Sequence, residues 1–237
     1  MLQLENLTVR FGGLTAVDGV TLAIGTQDVM GLVGANGAGK TTLFNAISGL
    51  VRPSGGRIAF DGVDIMRAPM HKRARMGVGR TFQIPQPMHE LTVRENLMVA
   101  QRFGTGAVDP GKIDAILAFT GLDGKAARDA ATGLALTELK ALEVAKALAV
   151  NPKLLLLDEV LAGLETAGKR RFMNMLKDLH LAFSVGIVII EHDIETISHL
   201  CQRVAVLNFG RLIADGTPEA VFSAPQVIES YTGAGHA

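Results

Sequence analysis

The run G-A-N-G-A-G-K-T at residues 34–41 constrains this chain more than any other feature. It matches G-x-x-x-x-G-K-[ST] in full, and it stands where that pattern needs to stand, after an apolar strand at 29–33 and at the start of a helix at 40–48 that Gly49 stops. Gly34, Gly37 and Gly39 let the main chain wrap closely around phosphate oxygens, with Asn36, Ala38 and Thr42 completing the cradle. Its free N–H groups and the helix dipole favour an anion. Lys40 is expected to reach the β- and γ-phosphates of a nucleotide, and Thr41 to ligate Mg²⁺. A glycine-rich connection of no chemical consequence is the alternative, and the eight-residue match speaks against it.

A second segment supplies what the loop lacks. Four leucines, 154–157, read as a buried strand that ends in Asp158 and Glu159, which lifts two carboxylates to the edge where a metal–nucleotide would lie. Asp158 is expected to hold Mg²⁺ through water, and Glu159 to orient and polarise the attacking water. Two acids capping a following turn would look the same in isolation.

The remainder of the chain is compatible with one α/β cassette. Its 237 residues, 48% of them hydrophobic, are enough to bury a sizeable core, and 23 basic residues balance 23 acidic ones. No global field would therefore draw it onto nucleic acid or anionic lipid. The longest apolar runs, 154–157 and 185–190, are far too short to span a bilayer. The first ten residues alternate apolar and polar side chains and do not read as a signal peptide, so the protein is expected to stay where it is made. Cys201 is the only cysteine and is expected to be a buried or idle thiol.

Leu2, Leu4, Leu7 and Val9 lie on short alternating stretches around Glu5 and Asn6, and a hairpin is expected through Asp61-Gly62. Helices are expected at 92–102, 112–119 and 137–150, and apolar strands at 154–157, 185–190 and 204–207, the last entering a hairpin through Asn208, Phe209 and Gly210. Strands alternating with helices imply a mainly parallel sheet covered by helices.

With these motifs in this order, the sequence resembles the ATP-binding-cassette (ABC) family over essentially its whole length. Gln83, in G-R-T-F-Q at 79–83, resembles the glutamine that touches Mg²⁺ and the membrane partner, and His192, in I-E-H-D at 190–193, resembles the switch histidine on the γ-phosphate. Phe11 resembles the aromatic that stacks on adenine, with a core phenylalanine as the competing possibility. Residues 161–165 occupy the place of the loop that crosses the dimer interface, although Glu165 stands where aspartate or asparagine is usual.

Within the family, the sequence is similar to the ATPases of branched-chain amino acid importers. The segments that carry this likeness are F-G-G-L-T-A-V (11–17), G-A-G-K-T-T-L-F-N (37–45), R-T-F-Q (80–83), T-V-R-E-N-L (92–97), V-L-N-F-G (206–210) and G-T-P-E (216–219). Relatives that handle lipopolysaccharide, amides or polar amino acids share several of them.

The resemblance implies a P-loop NTPase cassette of class α/β over residues 1–237, with an N-terminal antiparallel part. Residues 1–84 and 151–237 would form the nucleotide-binding core and 85–150 a helical subdomain. It implies ATP and Mg²⁺ as cofactors, with Glu159, His192 and Gln83 as catalytic residues. The implied partners are transmembrane permease subunits, a second ATPase subunit, different or identical, and indirectly an extracytoplasmic solute-binding protein. No nucleic acid partner is implied. The implied location is the cytoplasmic face of the inner membrane.

One segment departs from the family. The signature L-S-G-G-Q, which clamps the nucleotide held by the other subunit, falls in ungapped register on L-A-L-T-E at 134–138. Ala135 has no hydroxyl, Leu136 and Thr137 replace the glycines, and Glu138 brings a carboxylate towards a triphosphate. Thr137 is expected to cap the following helix and leave N–H groups for phosphate. Two alternatives to a transporter ATPase follow: a soluble ABC ATPase of DNA repair or translation, and a module that binds ATP without hydrolysing it.

Overall fold

The N-terminal alternation becomes two long antiparallel strands, β1 (Leu2–Phe11) and β2 (Leu14–Ile24). Leu2, Leu4, Leu7 and Val9 are buried while Gln3, Glu5 and Asn6 face outward. The interruption at Glu5 and Asn6 does not divide β1 into two stretches. Asn6 adopts the left-handed conformation, φ 47°, and the register with β2 shifts there, so a single strand runs through as a bulge.

The computed structural model describes residues 1–232, which fall into two units: residues 1–70 with those from 186 onward, and residues 71–185. After β2 the first unit continues with β3 (Val29–Val33), α1 (Lys40–Ser48), β4 (Gly55–Phe60) and β5 (Val63–Asp64). The hairpin from β4 to β5 turns on Asp61 and Gly62, as the sequence leads one to expect, and the antiparallel order is β2-β1-β4-β5.

The second unit holds α2 (Met70–Met76), β6 (Val78–Arg80), α3 (Val93–Thr105), α4 (Pro110–Phe119), a short 3₁₀ turn at Asp123–Lys125, α5 (Leu136–Ala149), β7 (Leu154–Asp158) and α6 (Thr166–Phe183). Thr92 and Glu95 close a reciprocal box at the start of α3, with Glu95 N–H donating to Thr92 Oγ1 at 3.2 Å and Thr92 N–H to Glu95 Oε2 at 2.8 Å. Leu97, Ile113, Ile116, Leu142 and Val144 bury the faces by which α3 and α4 pack on α5. Each such side chain contributes about 1.5–3 kcal/mol when fully buried. β6 and β7 run parallel with Arg80 opposite Leu156, which brings the residues after both strands to one edge.

The first unit resumes with β8 (Gly186–Ile190), α7 (Ile194–Leu200), β9 (Arg203–Asn208), β10 (Arg211–Gly216), α8 (Pro218–Phe222) and α9 (Pro225–Thr232). β3 lies between β8 and β9 and is parallel to both, with Leu32 opposite Ile190 and Val33 opposite Val206. Every residue of β3 and β8 is buried, as a parallel sheet covered on both faces requires. Cys201 is buried, and burial pushes its thiol up to about 12, so it behaves as a small apolar side chain. Among the described residues, no helix is long and apolar enough to cross a membrane.

Candidate active site

The sheet register of the first unit sets the phosphate loop and His192 side by side. β3 and β8 are parallel neighbours ending at Val33 and Ile190, so Gly34 and Glu191-His192 emerge from the same edge. Two glycines make the loop possible. Gly34 has φ 146° and a Cβ there would sit 2.1 Å from the carbonyl oxygen of Leu207, while Gly39 has φ 102° and a Cβ there would sit 2.3 Å from that of Ala16. No other residue fits either position. Asn36, Gly37 and Thr41 are exposed, Thr42 is half-buried and Ala38 is buried.

Lys40 is buried under the loop, its Nζ donating to the carbonyls of Gly34 at 2.7 Å and Ala35 at 3.0 Å. A phosphate oxygen would offer that ammonium a charged acceptor in place of neutral ones. His192 is exposed, and Asp193 after it caps α7 by accepting from Glu195 N–H at 3.1 Å. Phe11 ends β1 with half its surface exposed, so it is not a core side chain.

The second unit assembles the carboxylates. Thr81 and Gln83 follow β6 as Asp158 and Glu159 end β7. Thr81 N–H donates to the carbonyl of Leu156 at 2.9 Å, and Asp158 N–H donates to Thr81 Oγ1 at 3.1 Å, locking the two strand ends together. Asp158 is buried and pairs with the Arg80 guanidinium at 3.3 Å. Burial pushes Arg80 below its ordinary value against the pull of Asp158, and arginine stays charged through such a shift. Glu159 takes the left-handed conformation, φ 49°, and its Oε2 accepts from Gln83 Nε2 at 2.6 Å. Its own carbonyl accepts from Lys140 Nζ at 2.8 Å.

The structure therefore unites Gln83, Asp158 and Glu159 in one place and residues 34–42 with His192 in another. Arg80 and Lys140 were not singled out from the sequence as members of this site. Each bonds to a carboxylate residue far along the chain, and only an arginine or lysine among apolar neighbours hinted at a buried partner.

The segment at 134–138 differs from expectation in one respect. Thr137 does not cap α5: the N-cap is Ala135, and Thr137 lies inside the first turn. The capping is done from the helix side, by Glu138, whose Oε2 accepts from Ala135 N–H at 2.9 Å. Ala135 has no side-chain oxygen to reciprocate. Glu138 is also paired with Lys125, and that hydrogen bond, then the one from Ala135, holds its carboxyl below the ordinary glutamate range. The carboxylate expected to face a triphosphate is instead folded back onto its own helix.

Taken together, the strand–loop–helix, the paired carboxylates and the parallel strand edges define a nucleotide-hydrolysing cassette. The ABC transporter family model matches residues 17–162, and the chain belongs to that family. It is 38% identical to the high-affinity branched-chain amino acid transport ATP-binding protein BraF of Pseudomonas aeruginosa, over 98% of each chain. It is 35% identical, over the same shares, to the corresponding protein LivG of Escherichia coli K12. The ADP conformation of MJ1267, an ATP-binding cassette of an ABC transporter, superposes with a TM-score of 0.87 at 31% identity and 98% coverage of both chains. The chain is thus an ATP-binding, ATP-hydrolysing subunit of ABC type.

Proposed function

We propose that this chain powers the import of branched-chain or related amino acids, using ATP with Mg²⁺. The observation that carries the reading is the near end-to-end similarity to BraF and LivG, which supports the substrate class. The 2.6 Å hydrogen bond between Gln83 and Glu159 would tie the residue that meets a membrane partner to the residue that activates water. The chain would lie at the cytoplasmic face of the inner membrane, docked on two permease subunits that receive the amino acid from an extracytoplasmic binding protein. Residues 1–84 and 151–237 would bind nucleotide, and 85–150 would meet the permease.

Each residue has a role that its setting supports. The amides of residues 34–42 and Lys40 bind the phosphates, Phe11 offers a ring face to adenine, and His192 senses the γ-phosphate. Glu159 orients and polarises the attacking water. The side-chain oxygens of Thr41, Asp158 and Gln83 are each hard donors of the kind that Mg²⁺ takes beside phosphate and water. When bound, Mg²⁺ supplies charge neutralisation at the β- and γ-phosphate oxygens.

In a dimer with a different cassette whose signature is intact, the start of α5 would make the two ATP sites unequal. This chain brings a full hydrolytic set to its own nucleotide and a poor clamp to its neighbour's, which favours a different cassette as partner. Losing a hydrogen bond to a charged oxygen costs about 1.5–3 kcal/mol, enough to slow one site about tenfold or more.

Two measurements test this. Cells lacking the chain should lose uptake of labelled leucine and valine; unchanged uptake of both, with loss of amide uptake or lipopolysaccharide transport instead, would reject the substrate class. In the assembled transporter, Glu159→Gln and the matching change in the partner should depress hydrolysis unequally, and equal losses would reject the asymmetry.

A further inference from the structure

α5 is bonded to Glu159 and to the segment that follows Gln83. Its first turn falls within residues 134–138, which the resemblance places on the family signature. On the next turn lies Lys140, with only 5% of its surface exposed, whose Nζ donates to the peptide carbonyl of Glu159 at 2.8 Å. An ammonium withdrawn from water needs strong acceptors, and here it takes the carbonyl of the proposed catalytic base itself. That carbonyl belongs to a residue in the left-handed conformation, φ 49°, and it also accepts from Ala162 N–H at 3.2 Å. The turn at Glu159 is thus held from two sides.

Further along α5, Glu143 is buried and accepts from Gln86 N–H at 2.9 Å, while Lys146 donates both to Glu143 and to the carbonyl of Gln86. Gln86 lies three residues beyond Gln83, which grips the Glu159 carboxylate. One helix therefore bonds to the segment carrying Gln83 and to the backbone of Glu159, and its first turn holds the signature position.

We propose that Lys140 is a positioning residue for ATP hydrolysis: by fixing the left-handed turn at Glu159 it sets the aim of that carboxylate and makes the aim follow the position of α5. A displacement of α5, whether imposed at its first turn by a neighbouring cassette or through Gln86 by a permease, then reaches the base as a change of geometry and leaves ATP affinity alone. This inference rests on Glu159 being the base.

The test compares Lys140→Met, which keeps length but loses the donor, with Lys140→Arg, which keeps both charge and donor, in the transporter isolated through a tag on this chain. Lys140→Met should lower kcat about 10- to 100-fold, since a displacement of about 1 Å costs up to about 100-fold, with KM and equilibrium binding of ATP within about twofold of the parent. Lys140→Arg should restore kcat to within about threefold. On a Glu159→Gln background, Lys140→Met should cause no further loss in single turnover.

If Glu159→Gln abolishes turnover while Lys140→Met leaves kcat unchanged, the positioning role is overturned and the base stands. If kcat and ATP binding fall in parallel in both lysine variants, Lys140 is a structural residue and the proposal is overturned. Normal turnover in Glu159→Gln would remove the base assignment, and the proposal with it. Should Lys140→Met not assemble, Lys140→Gln, too short to reach the carbonyl, is read by the same split.

Discussion

The helices α1 and α5 begin within the two segments that the resemblance assigns to phosphate, and their first turns are charged in opposite ways. α1 has no side-chain cap and no acidic residue in its first turn, and Lys40 stands at its first position. α5 carries Glu138 in its first turn, bonded to Ala135 N–H and paired with Lys125. An uncapped helix start gives up about 0.5–2 kcal/mol of stability, which a bound anion can return. The contrast teaches that a helix terminus favours an anion only while its own first turn keeps negative charge away. In this chain one terminus presents a lysine and the other a carboxylate.

The largest effect that can break this contrast lies with Glu159. Glu159→Gln should lower steady-state hydrolysis by at least about 100-fold with ATP binding retained, because the amide keeps the shape but cannot accept or polarise as a carboxylate does. Retained turnover would remove the competent side of the comparison. Lys40→Ala should weaken ATP binding by about 10- to 100-fold in calorimetric titration, the loss of a charge-assisted bond to phosphate. Parent-like affinity would show that the α1 terminus does not depend on its lysine.

Removing the carboxylate from the start of α5 should have a smaller effect of opposite sign. Thr137→Gly combined with Glu138→Gln is expected to raise hydrolysis of the assembled transporter by about three- to tenfold, by returning flexible backbone and removing a negative charge. No gain would mean that the neighbour's nucleotide never relied on this segment. Lys125→Ala should have the smallest effect. The pair is partly exposed, with 29% and 27% of the two side chains accessible, so its loss is worth about 0.2–1 kcal/mol, about 1–3 °C in Tm. Because the Glu138 carboxyl is held below its ordinary value, the pair's contribution is complete above the unfolded glutamate range and is lost as pH falls through the lower folded value. The Tm gap between Lys125→Ala and the parent should therefore close in acid and persist at neutral pH.

What was legible in the sequence was local. The phosphate loop is eight consecutive residues whose geometry follows from glycine, a strand before and a helix after, and the hairpins at Asp61-Gly62 and Asn208-Phe209-Gly210 are equally short-range. β1 misled because a left-handed asparagine looks like a break in alternation while the ladder tolerates it as a bulge. The cap of α5 misled for a related reason: Thr137 has the hydroxyl, but Glu138, three residues past the N-cap, has the reach. The grip of Gln83 and Lys140 on Glu159 and the pairing of Arg80 with Asp158 join positions that no period or motif connects. Such contacts are set by which strand ends lie together and by how far a buried stem can extend.

The phosphate loop itself is walled by chain that comes much later. The carbonyl of Leu207 lies against Gly34, and Gly210 N–H donates to the carbonyl of Ala38 at 3.0 Å, both from the hairpin of β9 and β10. During synthesis the motif leaves the ribosome long before that hairpin exists. The nascent chain thus carries the phosphate-binding residues well before it has the surface that shapes them, and capture of nucleotide belongs to the end of folding.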